Sequence, residues 1–374
     1  MDRSEVIPLS PRSTVSPSRR SLLLGAAAVA PLVALGAGGA SAAGLGEFHD
    51  AAGLRMVDGS PWIHDDIHSV DFRVDTGGQV KTFHPSVRVT VPPSYLENPE
   101  RRYPVLLLLH GGPGMFLDWS KTWGNATEES EKHEVIIVMP DGGNGSFYSN
   151  ANQPLPGREA NWETFLMEQV LPFVHENFRT LPDRMAIAGL SMGGWGALAL
   201  GQRYWGHFRS ISSYSGPADC GITPAGLAVR AVIWGGPAAD GFVDGFKYFG
   251  TSNLPGATWG HEPYPKVAKG YNPLENIDRY KGKRLFLRTG DGWWLDGFDE
   301  FPDLVQRIRE KAESFSADLQ ESVVAATQTS FSTELDRAGI DHSFEVVNGA
   351  THTPDLWRAS LTEDLPGIME ALNA

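Results

Sequence analysis

The chain has 374 residues, 41% hydrophobic and 10% aromatic, enough for one large domain with a substantial core. Its net charge of −14 becomes more negative once a basic N-terminal stretch is set aside, which argues against nucleic acid as a partner. One cysteine, Cys220, excludes an intramolecular disulfide. There is no cysteine pair and no H-E-x-x-H, and the histidines are scattered, so neither a metal nor a cofactor is expected.

The N-terminus reads as an export signal. Arg19 and Arg20 form a twin arginine, followed by a short apolar run and small residues ending in "ASA". The run from Leu22 to Leu35 is interrupted by Gly25 and Pro31 and is shorter than the roughly 20 apolar residues that span a bilayer. Residues 1–42 are therefore expected to be a twin-arginine (Tat) signal, with a mature chain from about Ala43 and no stable membrane span. A protein without disulfides suits a route that exports folded chains. Its destination is expected to be outside the cell or at the cell wall, and residues 43–374 are expected to form a single domain.

Further along, "SVDFRVDT" and "HPSVRVTVP" alternate apolar and polar residues and predict half-buried antiparallel strands at a sheet edge. The runs 104–110, 134–140, 184–189 and 284–290 are continuously apolar and predict parallel strands covered on both faces. Between them, residues 161–178 put Trp162, Phe165, Leu166, Val170 and Phe173 largely on one helical face. This alternation predicts an α/β fold, a mostly parallel doubly wound sheet with ligands at the carboxyl ends of its strands. Residues 216–270, dense in Gly, Pro and aromatics, break the pattern and read as an insertion over the site. It forms either a lid or acyl-binding wall, or a satellite core.

The chemistry centres on Ser191. It lies in "GLSMG", a G-x-S-x-G motif between the strand-like "RMAIAG" and the helix-like "GGWGALALGQRYW". A serine on so sharp a strand-to-helix turn needs neighbours without bulk and becomes an exposed nucleophile. Such a hydroxyl requires a base, and on this fold the order is serine, acid, histidine. His352 follows the strand-like "SFEVV" and precedes a predicted last helix, at the carboxyl end of a strand; His342 stands at that strand's beginning and reads as an exposed loop residue. Two carboxylates compete for the third place: Asp291 directly after "RLFLRTG", and Glu321 in "ADLQESVVAATQTSF". Spacing does not decide between them. Met192 and Gly112 are the candidate oxyanion donors, the latter because Pro113 in "HGGPG" has no N–H.

In "VIIVMPDGGNGSFYSN", "NWETFLMEQVLP", "AGLSMGGWGALALGQRYWGHFRSISSYSG", "YNPLENIDRYKGKRLFLRTGDG" and "GATHTPDLW" the chain resembles the antigen 85-type mycolyltransferases. These belong to a broader esterase family with the α/β-hydrolase fold, which includes S-formylglutathione hydrolases and feruloyl esterases. The resemblance implies acyl transfer through a serine acyl-enzyme, on a small-molecule or lipid acyl ester, with a sugar or glycerol as possible acceptor. It also favours Glu321 as the acid, with Asp291 as the alternative found in ordinary esterases. Two departures stand out: His110 and Pro113 occupy places where the trehalose-contacting loop has Asp and Arg, and Pro354 stands where a Trp usually follows the histidine. A simple carboxylesterase is the alternative reading. A non-catalytic lipid- or glycan-binding protein on a hydrolase scaffold is a third.

Overall fold

The continuous apolar runs lie in the middle of the molecule as parallel strands, where both of their faces can be covered. The computed structural model describes residues 45–374 except 82, 240–252 and 293–314; the expected signal over 1–42 and its cleavage site lie outside them. The strands are β1 (Arg55–Met56), β2 (Trp62–His64), β3 (Ser69–Asp75), β4 (Ser86–Thr90), β5 (Tyr103–Leu109), β6 (Ile136–Pro140), β7 (Thr180–Leu190), β8 (Phe208–Tyr214), β9 (Arg284–Gly290) and β10 (Ser343–Val347). Among the described residues they pair in the order β1-β3-β4-β6-β5-β7-β8-β9-β10, with β2 beside β3. From β6 to β10 all neighbours are parallel, and β1 to β4 add antiparallel strands on one side.

Strand β5 is the switch point. The chain crosses from it to β6 on one side and then returns to β7 on the other, which opens a crevice at the carboxyl ends of β5 and β7. Successive residues of β5 face opposite ways. Val105, Leu107 and Leu109 join the core that contains Phe165 and Trp195, while Leu106 and Leu108 join the one that contains Trp119, Leu361 and Leu365. Each fully buried leucine contributes about 1.5–3 kcal/mol relative to exposure.

Helices cover both faces. α1 spans residues 162–177 and buries all five predicted face residues. α2 (Met192–Arg203), α3 (Pro224–Ala239), α4 (Lys266–Tyr271), α5 (Phe315–Arg337) and α6 (Pro354–Asn373) follow.

Two expectations need correction. β4 is neither half-buried nor at an edge: it lies between β3 and β6, and even Arg88 is buried. Its guanidinium forms a bidentate pair with Asp71 at 2.7 and 2.8 Å, which is what makes a charge acceptable there. The 216–270 insertion is more regular than expected, because it contains α3 and α4. The exposed and buried sides of α3 are both apolar, with Leu227 and Val232 on one and Val229 and Ile233 on the other, so the segment carries no amphipathic period. β8 was not among the predicted strands: it reads "FRSISSY", too polar for a buried strand by pattern, yet Ser210, Ser212 and Ser213 are fully buried. Small side chains are needed there because a Cβ on Gly194 of α2 would already lie 2.7 Å from Ser213 Oγ.

Candidate active site

β7 ends at Leu190 and α2 begins at Met192, so the chain turns within one residue. Ser191 takes φ 52° and ψ −120°, a left-handed conformation that costs a non-glycine residue energy. The turn closes because its flanks lack side chains. A Cβ on Gly189 would lie 2.3 Å from the Gly193 carbonyl oxygen, and one on Gly193 would lie 2.3 Å from the Leu109 carbonyl oxygen.

Two elements distant in sequence meet this serine. His352, in the loop between β10 and α6, holds Nε2 2.8 Å from Ser191 Oγ and Nδ1 2.5 Å from Glu321 Oε2. Glu321 comes from α5 and is fully buried. Its other oxygen, Oε1, accepts the Ser215 hydroxyl at 2.8 Å, the Thr289 hydroxyl at 2.7 Å and the Gly290 amide at 2.6 Å. Burial pushes the Glu321 pKa up, but the hydrogen bond and charge of His352, with the Thr289 and Gly290 donors, outweigh it and leave the pKa below the ordinary value. The carboxylate is therefore ionised where it faces the imidazole. His352 Nδ1–H donates to it, which leaves Nε2 to accept from the serine.

Asp291 stands at the end of β9, as expected, but points elsewhere: its Oδ1 accepts the Gly349 amide at 2.9 Å. His342 is not an exposed loop residue either, because its ring bonds Ser332 Oγ at 2.7 Å and the Ile340 carbonyl at 3.0 Å, away from the serine.

The "HGGPG" loop after β5 lies against the elbow. A Cβ on Gly111 would be 3.2 Å from Ser191 Cβ, and one on Gly112 would be 2.4 Å from the Asn144 carbonyl oxygen and 3.4 Å from Met192 Sδ. His110 is 1% exposed and both its nitrogens are engaged within the protein, so it offers no contact to a sugar. Three residues past Pro354, Trp357 sets its ring edge-on to His352 at 5.2 Å. Sequence reasoning missed Ser215, Thr289 and Trp357; the only signal for the first two was their position at strand ends.

Leu227, Ile233, Trp234, Trp259 and His261 help to line a cavity of about 300 Å³. Trp259 also packs between Tyr271 and Trp195, the latter on the elbow helix, with ring centroids 5.8 and 5.9 Å away. Residues 240–252 of the insertion are outside the described residues.

A mostly parallel sheet, helices on both faces and a strand–serine–helix elbow at its switch point define an α/β hydrolase. Residues 83–368 match the family described as Putative esterase, and the chain belongs to that family. It is 35% identical over 334 residues to Esterase Rv1288 of Mycobacterium tuberculosis, covering 86% of this chain but only 63% of that protein's length. It is 39% identical over 258 residues to the diacylglycerol acyltransferase/mycolyltransferase Ag85C of Mycobacterium avium, covering 66% of this chain and 64% of that one. The expected antigen 85-type resemblance is thus borne out. Among solved structures, an S-formylglutathione hydrolase from Agrobacterium tumefaciens aligns with a TM-score of 0.57 at 14% identity, over 82% of this chain and 96% of that one. MPT51 of Mycobacterium tuberculosis aligns with a TM-score of 0.56 at 19% identity, over 77% of this chain and 94% of that one. At those identities the likeness concerns the fold.

Proposed function

We propose that the chain is an exported serine enzyme that transfers an acyl group from an ester through an acyl-enzyme on Ser191. The continuous relay from Ser191 Oγ through His352 to Glu321, at 2.8 and 2.5 Å, carries this reading. Ser191 attacks the ester carbonyl while His352 Nε2 takes its proton, and Glu321 holds the ring and offsets the imidazolium charge. The amides of Met192 and Gly112 stabilise the oxyanion, aided by the positive end of α2. His352 then returns the proton to the leaving alcohol, and water or a second alcohol, activated by the same histidine, releases the acyl group.

The substrate class is a small-molecule or lipid acyl ester, with water, glycerol or a sugar as acceptor. The esterase and acyltransferase names of the relatives support both outcomes. The buried His110 argues against copying the trehalose contacts of the antigen 85 type. Within a single domain over 43–374, the aromatic insertion would form the acyl wall, and a dry wall of this kind favours transfer by protecting the acyl-enzyme from water. Export rests on the Arg19–Arg20 pair, and replacing both by Lys should retain the protein inside the cell.

The test is intact mass of the protein after exposure to p-nitrophenyl esters of graded length, with and without glycerol or trehalose. A Ser191-dependent adduct released faster by the acceptor, with acylated acceptor recovered, identifies a transferase; release to free acid regardless of acceptor identifies an esterase. Ser191→Ala should lose on the order of 10⁶ in kcat. Retained turnover in that variant removes the assignment.

A further inference from the structure

We propose that His110 is a positioning residue for the oxyanion amide of Gly112, its Nδ1 holding the Gly111 carbonyl within the loop after β5 and its Nε2 tying that loop to the loop after β6. The proposal rests on the acyl-enzyme reading above and adds to it the device that fixes the oxyanion site.

The Gly142 amide donates to His110 Nε2 at 2.8 Å, so that nitrogen is the acceptor and the ring proton sits on Nδ1. Nδ1–H in turn donates to the Gly111 carbonyl at 2.6 Å. A neutral imidazole is the species that offers one donor and one acceptor in this way. Burial pushes the His110 pKa down to about 4, against the Gly111 hydrogen bond, so the ring stays neutral near pH 7.

The clamp extends on both sides. The carbonyl of His110 accepts the Tyr148 hydroxyl at 2.7 Å. Tyr148 and its neighbour Phe147 take φ 55° and 48°, a costly pair of left-handed conformations for bulky residues. The strain turns the Tyr148 ring into contact with Gly142 and with Gly196 of α2, where added Cβ atoms would come within 2.2 and 2.4 Å of the ring. Beyond Gly112, the Gly114 amide donates to Asn144 Oδ1 at 3.3 Å, and the Phe116 amide to Asp141 Oδ1 at 2.8 Å. Gly112 is thus flanked by tethers on both sides of the loop, all leading to residues 141–148.

An oxyanion amide stabilises charge only if it is fixed before the charge forms, and losing one such donor typically costs 10²–10³ in kcat. Loosening the clamp should cost a smaller part of that range, and only in the transition state. His110→Asn keeps the donor to Gly111 but gives up the acceptor for Gly142; His110→Gln keeps the acceptor and gives up the donor. Tyr148→Phe removes a single hydroxyl. Each is expected to lower kcat about 10-fold or more, with KM within about threefold. Affinity for a phenylboronic acid, which forms a tetrahedral adduct on Ser191, should fall in parallel, and affinity for a non-reacting amide analogue of the ester should not.

If kcat and boronate affinity stay within twofold in all three variants, or if only KM rises, the proposal is wrong. Should the His110 variants fail to fold, Tyr148→Phe decides alone. Ser191→Ala run in the same series separates this outcome from failure of the acyl-enzyme reading, which alone predicts that variant's loss.

Discussion

Replacing Glu321 by Gln tests the relay at its least exposed point. The introduced amide must choose which atom faces His352. Oε1 of the wild-type carboxylate accepts the Gly290 amide at 2.6 Å as well as two hydroxyls, and those hydroxyls can rotate whereas the amide cannot. Turning the new side-chain nitrogen toward Gly290 would leave a buried N–H unpaired, at about 1–3 kcal/mol. The side-chain oxygen of the variant therefore stays on Gly290, and its NH₂ faces His352 Nδ1. The imidazole responds by moving its proton to Nε2, which then points a hydrogen at Ser191 and cannot act as base. The full tautomer inversion costs about 10⁴ in kcat in a comparable triad. Leakage through the flipped amide sets a lower bound of roughly tenfold to a hundredfold, from that same 1–3 kcal/mol. Single-turnover acylation by a p-nitrophenyl ester should thus fall by between about 10-fold and 10⁴-fold, with KM little changed. Asp291→Asn, measured alongside, should stay within about threefold, because that carboxylate serves the Gly349 amide. A Glu321→Gln enzyme within tenfold of wild type, or an Asp291→Asn enzyme that falls as far, would refute the reasoning. The depressed pKa of Glu321 also fixes a sign: its stabilising contribution is present above the unfolded carboxylate pKa and is lost as pH falls through the folded one. The stability gap between wild type and Glu321→Gln should therefore be wider at pH 7 than at pH 3.

Asp141 predicts the opposite slope. Burial, aided by the charge of Asp118 and opposed by the Ser86 and Phe116 amides and by Arg73, pushes its carboxyl up to about 7. The folded protein keeps this proton where the unfolded chain loses it, so stability should fall as pH rises from about 4 to about 7, by of the order of 4 kcal/mol. Urea unfolding of Asp141→Asn should show a shallower fall over that window, and identical slopes in the two proteins would count against the assignment. Arg88→Met should cost about 3–5 kcal/mol, because it leaves Asp71 buried without its bidentate partner, and Arg88→Met/Asp71→Leu should recover most of that loss. A single-variant cost under about 1 kcal/mol in urea unfolding would contradict it. Gly193→Ala should depress activity by at least about 10² and lower Tm, because its Cβ would meet the Leu109 carbonyl oxygen at 2.3 Å. Gly206→Ala, with nothing within 4 Å, should change neither, and equal behaviour of the two alanine variants would argue against the elbow's steric origin.

The parts of the molecule legible in the sequence are those where one physical requirement dominates. Continuous apolar runs announced β5, β6 and β9 because a strand covered on both faces has no polar side, and the glycine spacing announced Ser191 because the elbow tolerates no side chain at its flanks. β8 and α3 were obscured where two requirements conflict. The serines of β8 satisfy close approach to α2 at the expense of an apolar pattern, and α3 is apolar on its exposed side as well as its buried one. Trp357 was hidden for a different reason: it reaches His352 from a helix five residues on, across a break introduced by Pro354.

The acid shows why spacing alone could not finish the site. The turn after β9 holds the other candidate, Asp291, and that strand end is still used, but with the chemistry reversed. Instead of supplying a carboxylate, β9 supplies donors, the Thr289 hydroxyl and the Gly290 amide, and Ser215, the residue just past β8 and at φ 50°, adds its hydroxyl. Those three donors orient Oε1 of a carboxylate delivered from α5 and leave Oε2 for His352. Asp291 occupies the expected position in the chain and Glu321 the expected position in space. A linear pattern registers the first kind of position, while the pKa of the acid and the tautomer of His352 depend on the second. Strand ends rather than the helix therefore fix the orientation of the Glu321 carboxylate, even though it rides on α5.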